Sequence, residues 1–186
     1  KTIELPNSLS FVGYEAFAGS GIESLVIPIS MTSIGYGAFS MCSELASVTI
    51  SNNVTEIGDY SFYGCKFTHI DIPSSVKTIG CYAFYCCDAL ESVNLNEGLD
   101  TIMGVAFAEC TSLSSITIPQ SLTCIEVYAF SGCTNLSAVK LPNNNLTIER
   151  DVFRYCSGLL DYYCYKEEHL NAIKYCDYIG NVTIHI

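Results

Sequence analysis

Basic residues are scarce in this chain. It has eight Lys and Arg against nineteen Asp and Glu, for a net charge of −11. A nucleic-acid backbone is a polyanion, so binding one needs a local basic stripe. No such stripe occurs, and the same shortage argues against docking on an anionic membrane surface. Charge of either sign is thin, at 15% of the chain, while 49% is apolar. That is too hydrophobic for a disordered polymer. Even so, no apolar run approaches the roughly 18–20 residues of a membrane span, so no direct membrane insertion is expected. There is no C-x-x-C pair with a convergent histidine, which argues against zinc. There is no D-x-D-x-D-G loop, which argues against specific calcium binding. No strained nucleophile turn appears either. The expectation is a protein without metal or cofactor that is not an enzyme.

What the chain does have is internal repetition, the feature to look for first. Aligned on the phenylalanine of an "AF"-like pair, it shows Phe17, Phe39, Phe62, Phe84, Phe107, Phe130 and Phe153, spaced 22, 23, 22, 23, 23 and 23 residues apart. Three residues after each comes Cys42, Cys65, Cys87, Cys110, Cys133 or Cys156, with Ser20 in the first unit. An alternating apolar pair follows: Leu25/Ile27, Val48/Ile50, Ile70/Ile72, Val93/Leu95, Ile116/Ile118 and Val139/Leu141. Proline often comes next, at Pro6, Pro28, Pro73, Pro119 and Pro142. A second column precedes "AF": Val12, Ile34, Ile57, Ile79, Ile102, Ile125 and Ile148.

Period-two alternation of β-branched residues predicts a short strand. One such strand cannot bury its own face. Stacked in register, each unit adds a strand to a parallel sheet and a layer to a continuous core. The segment after the strand should return on the opposite side, partly extended. "GxxAFxxC" should form a tight turn or short helical piece. Glycine at Gly13, Gly35, Gly58 and Gly80 gives way to Met103, Glu126 and Glu149, so that column does not demand a left-handed backbone.

These columns resemble the BspA-like leucine-rich repeats, with "LSSITIPQSLTCIEVYAFSGC" at residues 113–133 as the fullest match. The resemblance implies a repeat solenoid: a right-handed horseshoe or arc with short parallel strands on its inner face and short helical turns. It also implies a non-catalytic adhesion or protein-binding module of a longer cell-surface or secreted protein. The alternative is an intracellular scaffold or regulatory repeat protein. The array is assigned to residues 1–165 and a C-terminal cap to 166–186. In the cap, His169, Leu170, Ile173 and Tyr175–Cys176 are spaced for a short helix, and "NVTIHI" reads as a final strand. The opening "KTIELPNSLS" reads as folded sequence, not as a leader, and starts in a strand without a cap. The native protein is therefore expected to continue upstream.

The cysteine column is expected to be a structural ladder of free thiols, since neighbouring side chains should run parallel and not face each other. Cys81, Cys86 and Cys124 lie between core columns, on turn or convex positions. The candidate ligand-binding residues of the inner face are Ser47, Thr49, His69, Asp71, Ser92, Asn94, Ser115, Thr117, Lys140 and Tyr163. They make a surface of small hydroxyls and amides suited to a protein of a host or neighbouring cell surface or matrix, or to a glycan. His69 and Asp71 share a face and mimic part of a hydrolase triad, but these residue types are common on such a surface. Tyr162, Tyr163 and Tyr165 form an aromatic edge, part of which should pack under the cap. Glu44, Asp88, Glu91, Glu97, Asp100 and Glu109 read as a solvated acidic flank. Asn53, Asn135, Asn145 and Asn181 head N-glycosylation triplets.

Overall fold

The computed structural model describes residues 2–174 and 182–186. Tyr175, Cys176 and Asn181 lie outside the described residues.

Each apolar pair forms a short strand of a first, parallel layer system. In chain order these are β1 (Thr2–Glu4), β2 (Ser24–Val26), β4 (Ser47–Thr49), β6 (His69–Ile72), β8 (Ser92–Leu95), β10 (Ser115–Thr117), β12 (Ala138–Lys140), β14 (Asp161–Tyr163) and β15 (Thr183–His185). The isoleucine column forms a second sheet of two-residue strands. These are β3 (Ser33–Ile34), β5 (Glu56–Ile57), β7 (Thr78–Ile79), β9 (Thr101–Ile102), β11 (Cys124–Ile125) and β13 (Thr147–Ile148), paired in parallel in unbroken order. Register is one repeat per layer: Ile57 pairs with Ile79 and Ile79 with Ile102. The result is a parallel-strand β-solenoid with the core between the two sheets.

The phenylalanines form the spine of that core. Adjacent rings from Phe17 to Phe153 stack with centroids 4.9–5.8 Å apart, and Phe39 to Phe153 are fully buried. Burying such a ring contributes roughly 1.5–3 kcal/mol, and stacking adds about 0.5–1.5 kcal/mol. Tyr162 closes the stack edge-on against Phe153, 6.1 Å away. Its hydroxyl donates to the carbonyl of His169 at 2.9 Å. His169 lies in a 3-10 turn, Glu167–Ile173, which packs His169, Ala172 and Ile173 inward. That turn is the only helical element among the described residues.

Of the two expected forms, the "AF" segments adopt the tight turn and not the short helical piece. Two residues bracket each phenylalanine in the left-handed region, one two positions before it and one two after. Around Phe84 they are Tyr82 (φ 57°) and Cys86 (φ 57°); around Phe107 they are Val105 (φ 61°) and Glu109 (φ 58°). This backbone sends alternate N–H groups in different directions. The amides of Tyr82, Phe84 and Cys86 donate to Gly104, Ala106 and Ala108 of the next layer. Those of Ala83, Tyr85 and Cys87 close turns onto Gly80, Tyr82 and Phe84 of their own layer. The turn is thus a third hydrogen-bonded column, which explains why ten non-glycine residues hold a positive φ there.

The cysteine column has a specific task. Each thiol donates to the phenylalanine carbonyl of the preceding layer: Cys65 to Phe39, Cys87 to Phe62, Cys110 to Phe84, Cys133 to Phe107 and Cys156 to Phe130, all at 3.1–3.2 Å. All ten described cysteines are free, seven of them buried, and Cys81, Cys86 and Cys124 are partly exposed. Burial pushes the Cys87 thiol up to about 12 and the Cys110 thiol well above its ordinary value. Only a thiol can donate to those carbonyls, so reactivity and stability are linked. In the native protein at pH 8, a thiol reagent should modify Cys81, Cys86 and Cys124 and leave the seven buried thiols silent until denaturant is added. Mass mapping of the labelled peptides checks this. Because the folded Cys87 value is raised, its contribution is complete below the unfolded thiol range. Stability should therefore fall as pH climbs from there toward 12.

Ser61 breaks the alanine column that continues with Ala38 and Ala83. Its hydroxyl is fully buried and has no hydrogen-bond partner among the described residues. An orphaned buried hydroxyl costs about 1–3 kcal/mol. Ser61→Ala should therefore raise Tm by roughly 2–6 °C, measured by scanning calorimetry.

Candidate binding face on the first sheet

The first-sheet strands present residues that alternate with the core. Ser47, Thr49, His69, Asp71, Ser92, Asn94, Ser115, Thr117, Lys140 and Tyr163 are all exposed there. Pairing sets His69 beside Ser92 and Asp71 beside Asn94. It sets Ser47 beside Ser24 and Thr49 beside Val26. Further along, Ser115 lies beside Ala138 and Thr117 beside Lys140, with Lys140 beside Tyr163.

The face is not one continuous sheet. Strand pairing runs β1–β2–β4, then β6–β8, then β10–β12–β14–β15, with no ladder between β4 and β6 or between β8 and β10 among the described residues. Elsewhere the residue after the strand ties the layers: the N–H groups of Ile27, Ile118 and Leu141 donate to Thr49, Lys140 and Tyr163. Ile50 makes no such bond among the described residues. The partings follow β4 and β8, where Ser51 and Asn96 stand in the proline position; β14 has Tyr165 there and pairs on to β15 without a parting. Both side chains bond backward, Ser51 Oγ to the carbonyl of Pro28 (3.1 Å) and Asn96 Nδ2 to that of Ile72 (2.9 Å). Two shallow clefts flank the β6–β8 strip. One is lined by Val48, Thr49, Asn52, Asp71 and Asn96, and the other by His69, Ser92, Asn94, Ser115 and Thr117.

The β6–β8 strip between the clefts carries a linked polar group. His69 Nδ1 lies 2.8 Å from Ser92 Oγ, and Nε2 lies 3.3 Å from Asp71 Oδ1. Asn94 Nδ2 donates to the same Asp71 oxygen at 3.0 Å. Ser92, His69 and Asp71 form an exposed polar row, hydrogen-bonded between Ser92 and His69, with Asp71 3.3 Å from the far ring nitrogen; the side chains of His69 and Asp71 are 53% and 65% accessible. The row fixes the ring and presents a donor–acceptor pattern to whatever lies on the strip. Among the described residues no group of three or more His, Cys, Asp or Glu could hold a metal ion.

A second polar group escaped the sequence reading. His185 stacks on Tyr163 with centroids 4.1 Å apart, and its Nε2 lies 2.9 Å from Asp161 Oδ1. The parallel pairing of β14 with β15 brings them together. "NVTIHI" reads as a strand, but its register on Tyr163 was not evident. Of the three tyrosines near the cap, Tyr162 is buried while Tyr163 and Tyr165 stay exposed. No described helix is long and apolar enough to cross a membrane.

Comparison with known proteins agrees with this architecture. No curated protein matches the chain. Among solved structures, the leucine rich repeat protein of T. pallidum superposes with a TM-score of 0.58 at 27% identity, over 87% of this chain and 72% of that one. A leucine-rich repeat protein from Bacteroides ovatus superposes with a TM-score of 0.50 at 28% identity, over 86% of this chain and 54% of that one. The profile of the BspA type leucine rich repeat region matches residues 1–80 and 55–179 in six copies. With the repeat period, the layered sheets and this match in agreement, the chain belongs to the BspA-type leucine-rich repeat family.

Proposed function

We propose that the chain is a non-catalytic binding module of a cell-surface or secreted adhesion protein, and that the β6–β8 strip with its two clefts is the centre of the binding face. The observation that carries this reading is the parting of the first sheet on both sides of His69, Asp71, Ser92 and Asn94. A partner surface or glycan meets fixed polar groups there and two recesses beside them, with little rearrangement required. The open setting of Ser92–His69–Asp71 favours recognition over catalysis, because water is not excluded and no donors converge on a reacting oxygen. The family resemblance supports the surface-adhesion part of this reading.

The test is capture of extracellular-matrix and epithelial surface proteins by the wild type, Thr117→Lys and Asn94→Lys. A partner retained by the wild type and lost by both variants supports the reading. No partner, or one indifferent to both changes, counts against it. The rival role of intracellular scaffold draws on the ten free thiols. Localisation of the full-length protein separates the two.

A further inference from the structure

Six of the thirteen tyrosines gather where the second sheet runs into the "AF" turn, away from the binding face. Tyr14 stacks on Tyr36 (4.7 Å, 7°), Tyr36 meets Tyr60 (5.3 Å, 42°) and Tyr60 stacks on Tyr82 (4.7 Å, 7°). A second row, Tyr63 on Tyr85 (5.6 Å, 9°), stands at right angles to the first, with Tyr60–Tyr63 at 82° and Tyr82–Tyr85 at 85°. The two rows make an L-shaped trough over four consecutive layers. It is floored in the earlier layers by Ser40 and the exposed Met41, with Glu15 on its rim. Core packing does not require it: Tyr14 is 68% exposed and Met41 53%.

The charges around the trough have one sign. Glu15 lines the trough with Tyr36 and Tyr60, Asp59 adjoins Tyr60 in the chain, and Glu109 lies near Tyr85. Glu15, Asp59 and Glu109 have no ion-pair partner among the described residues, and the lysine of this region, Lys66, is held by Asp88. Aromatic faces and edges with unpaired carboxylates attract cations, and a planar guanidinium stacks on tyrosine better than an ammonium does. Three layer steps of ~4.8 Å make a strip of roughly 14 Å, matched by about four or five residues of extended chain.

We infer that the tyrosine trough is a docking site for an extended, arginine-bearing peptide segment of a protein partner, separate from the first-sheet face. The test is fluorescence polarisation with three labelled peptides of equal length that alternate proline with arginine, lysine or glutamate. The arginine peptide should bind saturably, the lysine peptide more weakly and the glutamate peptide not at all. The double variant Tyr36→Ser/Tyr60→Ser should weaken arginine-peptide binding by about tenfold or more, and Glu15→Gln by a smaller factor. Thr117→Lys, on the first-sheet face, should leave it unchanged beyond a small loss common to all added positive charge. Circular dichroism melts of each variant show that the fold is retained, and if the double variant melts early, Glu15→Gln and the arginine-to-lysine ratio still decide. Absence of saturable arginine-peptide binding would overturn the assignment. So would binding that falls with salt yet ignores both the tyrosine and Glu15 changes, since that is attraction to the overall net charge.

Discussion

Phe107→Ala is expected to destabilise the protein by about 3–5 kcal/mol, the range for removing a buried aromatic ring. Phe107 is fully buried and stacks on both sides, against Phe84 at 4.9 Å and Phe130 at 5.2 Å. In a globular core, neighbours relax inward and recover part of such a loss. Here the backbone of each layer is pinned to the next by the amides of Val105, Phe107 and Glu109, which bond to Val127, Ala129 and Ser131. Layers cannot close over the void without breaking that column, so the effect should fall at the upper end of the range. The solenoid is held by nearest neighbours, and the lesion should divide the array. Urea unfolding should lose its single transition and show two, with a lower m-value in each. A single transition with an unchanged m-value would show that the layers communicate over longer distances than proposed.

Gly98→Ala is the second large effect. Gly98 holds φ at +115°, a conformation that side-chain-bearing residues rarely adopt. A Cβ there would also run into the backbone carbonyl of Ser74 in the preceding layer. Strain and overlap together should cost about 2–5 kcal/mol. The same backbone places its N–H on Ser121 Oγ (2.8 Å) and its carbonyl under Lys77 Nζ (3.0 Å), so three layers are disturbed at once. Other units carry Ser75, Ser121 or Asn144 at this position, so the requirement is local to the loop "NEG" that replaces a proline turn. Thermal unfolding checks it. A melting point within a degree of wild type would mean that the loop relaxes without cost.

Phe107 and Gly98 also show how much of the fold was legible in the sequence. The spine was readable because a 22–23-residue period repeats seven times and puts the same ring at the same height in each layer. The cysteine ladder was readable as a column, although its thiol-to-carbonyl bonds were not, since donors and acceptors lie 25 or 26 residues apart. The left-handed turn residues were hidden because ten of them are not glycine, Val105, Tyr60 and Tyr128 among them, against four that are. There the layer-to-layer hydrogen bonds override local preference. Which side chains face out on the first sheet followed from period-two alternation. The partings of that sheet left only a faint trace, the missing prolines at Ser51 and Asn96. Tyr165 also stands at a proline position, yet β14 pairs on to β15, so the missing proline alone does not mark a parting. The tyrosine trough was invisible to column reading because Tyr14 and Tyr36 stand three before the phenylalanine while Tyr60 and Tyr82 stand two before it.

Each layer is sealed by its neighbours, except where the first sheet parts beside the proposed binding strip. Native-state hydrogen exchange resolved to single amides tests this directly. Phe62, Phe84 and Phe107, whose N–H groups reach Ala83, Ala106 and Ala129, should exchange slowest, and Ile118 and Leu141 should also be well protected. Ile50, at the β4–β6 parting, should exchange orders of magnitude faster than Ile118. Equal protection of Ile50 and Ile118 would mean that the sheet is continuous and that the clefts of the proposed binding face do not exist.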